Sequence, residues 1–219
     1  MYARRPIPCE RRGHGGRGLT ADEVVLSKPR AVPGVFAWRL LVAFFGFLGF
    51  FLAVNRLPDP LTALSQQASL LTGIVFTGLA AYPLITGRVE PRSPRLRGAM
   101  AVLLLLVCVT FMTLLSGNLS RAYSLFEHLI TPLAVLADFL LVGRNQRAMK
   151  WWYPISWLGY PLLYLVYYVA ADLRLYGRFL NPGAPSFPGV IAGFVVALLA
   201  VGYLLYAFGR AKAGYRSNR

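Results

Sequence analysis

The sequence predicts an all-α, polytopic membrane protein with six transmembrane helices and both termini in the cytoplasm. Three observations predict it. Hydrophobic residues make up 57% of the 219 residues and charged residues 14%, with a mean hydropathy of +0.54, whereas a soluble domain carries about 25% charged residues. The apolar residues gather in long runs, and a run of about 18 or more with few charges is long enough to cross a bilayer. The basic residues behind the net charge of +15 sit mainly in the segments between those runs.

The first 35 residues include "ERRGHGGRGLTADE", which is polar and without periodicity. They read as a disordered basic cytoplasmic tail. They are not a cleavable signal peptide, because the apolar run that follows is too long and has no small-residue cleavage site. "RRGHGGRG" reads as a plain solvated tail rather than a contact for nucleic acid or anionic lipid.

The membrane domain is expected over 36–209, with spans at Phe36–Val54, Leu64–Thr86, Gly98–Ser116, Ser124–Gly143, Pro154–Ala171 and Phe187–Gly209. Connections such as "RVEPRSPRLRG" and "NPGAPSFPG" have turn and breaker compositions. A short basic cytoplasmic tail, 210–219, follows. With six spans, Lys and Arg number nineteen on one side and four on the other (Arg56, Arg121, Arg174 and Arg178). Positive charge stays cytoplasmic during insertion, which places both termini inside and the protein in the cell membrane.

The fourth span carries ionisable groups that are costly in hydrocarbon and ordinarily face a protein interior or wet cavity. On a wheel of 100° per residue, Glu127, Asp138, Thr131, Ser124 and His128 fall in one sector about 100° wide. Pro132 has no N–H, so the carbonyl of His128 loses its α-helical donor and the helix is expected to kink there. The second span has a matching stripe of Ser65, Ser69, Thr72 and Phe76 within about 60°. Ser69 and His128 each lie roughly 6–8 Å below the outer surface by helical rise. A hydroxyl and a lone imidazole at one depth suit a nucleophile and its base. Asp138 lies some 15 Å deeper, level with Arg39, and is expected to form a structural ion pair with it. Glu127 either supports His128 or reaches the interface.

His14 and His128 are the two histidines and Cys9 and Cys108 the two cysteines. That inventory argues against a multi-histidine metal site, a haem pair or a disulfide framework, so no cofactor is expected.

"HLITPLAVLADFLLVG" resembles the signature of actinobacterial six-span Pr-six-Pr membrane proteins, with a His, a Pro four residues on and an Asp six beyond it. "YPISWLGYPLLYLVYYVAADL" resembles the fifth span of that family. These proteins are similar to the androgen-induced membrane hydrolases, in which an intramembrane Thr and His cleave fatty acid esters of hydroxy fatty acids. The resemblance implies that His128 is the base and that Ser69 stands at the nucleophile position. Thr72 is the later hydroxyl of that motif, and Gly73 replaces its Asn. It also implies a membrane lipid, a fatty acid ester, as substrate. Two other classes compete with a lipid-ester hydrolase. One is a non-catalytic protein that binds lipid or a partner. The other is a small proton-linked carrier lined by His128, Glu127 and Asp138, although the chain lacks a Gly/Pro-broken pair of spans in matching halves.

Overall fold

A computed structural model describes residues 33–56, 59 and 61–217. The tail expected over 1–35 lies outside them except for 33–35, which form the first turn of the first helix. The described residues contain helices and turns and no strand.

Helix α1 is Pro33–Val54, α2 Leu64–Thr86 and α3 Arg95–Leu114. Proline suits the first position of α1 because that N–H would lack an intrahelical partner anyway. Gly87 closes α2 in the left-handed region at φ 68°, with its N–H on the Pro83 carbonyl at 3.0 Å. That conformation falls to glycine at no steric cost. The fourth helix, α4, runs Ala122–Val142 and is interrupted by two π turns, Phe126–Ile130 and Asp138–Val142. These four helices and the last one are long and apolar enough to cross a membrane.

The fifth predicted span is not one helix. It is α5 (Tyr153–Ser156) and α6 (Gly159–Ala170), separated by a tight turn at Trp157 and Leu158. The Leu158 N–H bonds the Ile155 carbonyl at 3.2 Å, a three-residue closure that tightens the chain out of α register. Pro161 brings no N–H back to the Trp157 carbonyl, so the break is built into "WLGYP". The last helix, α7, runs Phe187–Ser217, past the expected end at Gly209. The segment read as a separate tail from residue 210 thus continues the helix to Ser217. Within it, the Lys212 ammonium donates to the carbonyls of Leu141 at 3.1 Å and Gly143 at 3.0 Å. A cation there caps the end of α4.

Glycines set how closely the first helices approach. A Cβ at Gly46 would lie 2.7 Å from the Ser69 carbonyl oxygen, and one at Gly49 would lie 3.2 Å from Glu127 Cγ. Side-chain-free positions thus let α1 pack backbone to backbone on α2 and against the first π turn of α4. Outward, large apolar residues stand open, among them Phe44, Leu84, Ile85, Leu163 and Leu204, the last 70% exposed. An apolar exterior on that scale belongs in lipid.

Candidate functional site

Two polar clusters sit at opposite ends of this apolar bundle. The first is built on the π turn of α4. Thr131 N–H bonds the Phe126 carbonyl five residues back. The turn before Pro132 is where the helix can widen at least cost, since an acceptor there goes without its donor in either register, and widening relieves the ring's clash with the preceding carbonyl. Glu127 and His128, consecutive in this turn, face different neighbours.

Glu127, 1% exposed, turns toward α2 and accepts a hydrogen bond from the Ser65 hydroxyl at 3.1 Å. His128 turns toward α3, where its ring stacks on Phe111 with centroids 3.7 Å apart and planes 19° apart. Its Nδ1 is 3.0 Å from the Ser124 carbonyl oxygen. A carbonyl only accepts, so Nδ1 bears the hydrogen and Nε2 of the neutral ring keeps its lone pair. The Ser124 hydroxyl lies 3.5 Å from Nδ1 and donates to the Asn118 carbonyl at 2.8 Å.

Beside His128 opens a cavity of about 800 Å³, its mouth included. It lies between α2, α3, α4, α6, α7 and the connection from α6 to α7. Its wall is almost wholly apolar, with polar atoms from Ser65, Thr110, His128, Tyr164 and Tyr176. The two tyrosines are engaged elsewhere. Tyr164 donates to the Thr62 carbonyl at 2.8 Å, and the Tyr176 phenol oxygen accepts the Leu64 N–H at 3.1 Å. The second bond satisfies an orphan donor at the start of α2 and pins the connection over the cavity. Tyr168 stacks on Tyr176 behind that wall.

The residues singled out from the sequence are placed as follows. Ser69 is fully buried, makes no hydrogen bond to His128 or any other group, and lies off the cavity wall. Thr72, also fully buried, donates to its own Ala68 carbonyl at 2.7 Å. The serine and threonine that line the cavity with His128 are instead Ser65 and Thr110. Ser65 was legible as a member of the polar stripe, one turn above Ser69. Pro132 is buried at the start of the α-helical turn that follows the π turn.

The second cluster holds Arg39 and Asp138, both fully buried, together with Arg97 and Glu90. Arg39 lies 3.9 Å from Asp138 through its Nε, a contact too long for a hydrogen bond. Its close partner is Glu90 at 2.8 Å. Asp138 is held by Arg97, whose Nε donates to Oδ2 at 2.7 Å while Nη2 donates to the Asp138 carbonyl at 2.6 Å. Asn145 accepts from Arg97 at 3.0 Å. The two arginines and two carboxylates balance in charge, which lets four ionised groups share a buried site. Among the described residues no group of three or more His, Cys, Asp and Glu is placed to hold a metal ion.

No known protein family, no curated protein and no solved structure matches this chain. The resemblance to the six-span family therefore rests on its motif residues alone.

Proposed function

We propose that this chain is a six-crossing membrane protein that holds one acyl chain in the cavity beside His128. The cavity itself carries the reading. Its wall is apolar with a few polar groups, the pairing found in small-molecule sites. Ser65 and His128 would meet the polar end of the lipid. The test is binding of a fluorescent fatty acid to purified protein in nanodiscs. Leu106→Trp and Val195→Trp, which fill the wall, are expected to weaken binding at least about tenfold, close to 1.4 kcal/mol. Wild-type affinity in both variants would refute an acyl site there.

Hydrolysis of a lipid ester is a second reading, favoured by the presence of Ser65 and His128 among the residues that line one cavity. In that chemistry a hydroxyl attacks the ester carbonyl while its proton passes to Nε2 of His128, the alcohol leaves with that proton as an acyl-enzyme forms, and water then cleaves the acyl-enzyme. Ser65 joins Ser69 and Thr72 as the nucleophiles to be tested. A hydrolase is expected to bind a fluorophosphonate probe covalently, and to lose the adduct in His128→Ala and in one of Ser65→Ala, Ser69→Ala or Thr72→Val. Unlabelled wild-type protein that still binds acyl chains would identify a binder without this chemistry.

The six crossings include the broken α5–α6 segment, and the nineteen-to-four basic asymmetry supports cytoplasmic termini. A reporter fused after Arg219 is expected to read cytoplasmic and one inserted at Gly183 external. Matching readings would remove a crossing.

A further inference from the structure

Behind the cavity wall, α1, α2 and α4 enclose more oxygen atoms than they satisfy. Ser65 and Ser69 stand one turn apart on α2, and Glu127 and Thr131 stand four residues apart on α4. The Ser65–Glu127 hydrogen bond ties the two helices together at one level. Glu127 Oε1, Ser69 Oγ and Thr131 Oγ1 are buried without a partner, and Ser69 and Thr131 are fully inaccessible.

The charge is as incomplete as the hydrogen bonding. Glu127 has no basic partner among the described residues. The elements packed on it present Gly49 from α1 and Ser65 from α2, while Phe111 of α3 stacks on the neighbouring His128. The arginines of those helices, Arg39, Arg95 and Arg97, belong to the opposite end, where Arg39 and Arg97 pair with acids. The titratable groups nearby are His128 on its own helix and Tyr176 above the cavity. A bare carboxylate in such surroundings is strongly unfavourable unless it is neutralised. Ser65, Ser69, Thr131 and Glu127 offer oxygen alone, the kind of donor that suits a hard cation.

We propose that Glu127, with Ser65, Ser69 and Thr131, binds one small monovalent cation, H⁺ or Na⁺, inside the membrane. With a proton, the carboxyl becomes a donor to an orphan hydroxyl. With sodium, the carboxylate and hydroxyl oxygens coordinate the ion. The site shares Ser65 with the cavity wall, but Glu127, Ser69 and Thr131 do not line the cavity, and the test below needs no lipid ligand.

The test uses the full chain in nanodiscs, with infrared spectra and thermal melting in sodium and in choline buffers. A protonated-carboxyl C=O band at pH 7 that is absent from Glu127→Gln establishes the proton form. Stability in that case falls as pH rises in wild type, because the folded state binds the extra proton, and Glu127→Gln lacks that fall. A carboxylate band with a Tm at least about 3 °C higher in sodium than in choline, lost in Glu127→Gln, establishes the sodium form. An ionised carboxyl with no sodium dependence overturns the site. Should Glu127→Gln fail to fold, the double variant Ser69→Ala/Thr131→Val takes its place. That variant is expected to shift the carboxyl band or abolish the sodium effect, and an unchanged spectrum and Tm would overturn the proposal.

Discussion

Replacing Arg97 by methionine is expected to cost about 3–5 kcal/mol, the scale on which a buried ion pair loses one partner. The variant leaves Asp138, which is fully buried, facing only Arg39 at 3.9 Å. It also strips the Asp138 carbonyl of its 2.6 Å donor and Asn145 of its 3.0 Å one. Asp138→Leu is expected to be damaging for the converse reason. The double variant Arg97→Met/Asp138→Leu keeps the Arg39–Glu90 bond at 2.8 Å and should recover much of the loss. Melting temperatures of the three proteins in one detergent decide the matter, and additive losses would mean that the pair is not coupled. The corresponding cycle on Arg39 and Asp138 should show weaker coupling, since that contact carries no hydrogen bond.

Gly98→Ala is expected to lower stability by about 1–3 kcal/mol, the usual toll of overpacking. On propensity alone it should do the reverse, since alanine in a helix interior is favoured over glycine by about 1 kcal/mol. Sterics decide the sign. The new Cβ would fall 2.2 Å from Trp157 Cζ2 and 2.6 Å from Cε2. Trp157 is 1% exposed and packs edge-on against Phe139, so it has little room to retreat. Gly78→Ala is the control. It lies inside α2 with nothing within 4 Å of the added carbon. Its Tm is expected to match or exceed that of wild type, and a fall equal to that of Gly98→Ala would assign the effect to something other than Trp157.

The helices were legible to the extent that apolar run length decides them. The bounds read for the second span, Leu64–Thr86, are those of α2. Length also misleads, as at the fifth segment. "YPISWLGYPLLYL" is apolar enough for one span, yet Pro161 and the turn at Trp157 divide it. The polar groups were harder to read. Depth along each helix put Ser69 level with His128, but depth carries no information about azimuth between helices. In the fold, α2 turns Ser65 to Glu127 while His128 faces Phe111 of α3. Arg97 was counted among the basic residues of the second connection and Glu90 was not singled out, because their burial depends on how the chain folds back. A lone acid in the basic stretch "RVEPRSPRLRG" was the available sign of an internal partner.

The two π turns of α4 also bear on how sequences of this kind should be compared. A π turn is an α turn with one extra residue, absorbed as a local widening. A relative lacking one residue between Ser124 and Pro132 would therefore keep both flanks of the helix on their present faces. The same holds for the turn that begins at Asp138. An alignment that forbids gaps inside this helix would throw every position beyond the indel about 100° out of phase. It would score a shared fold as unrelated. One-residue gaps placed at 126–130 and 138–142, and nowhere else in the helix, are the ones its backbone allows.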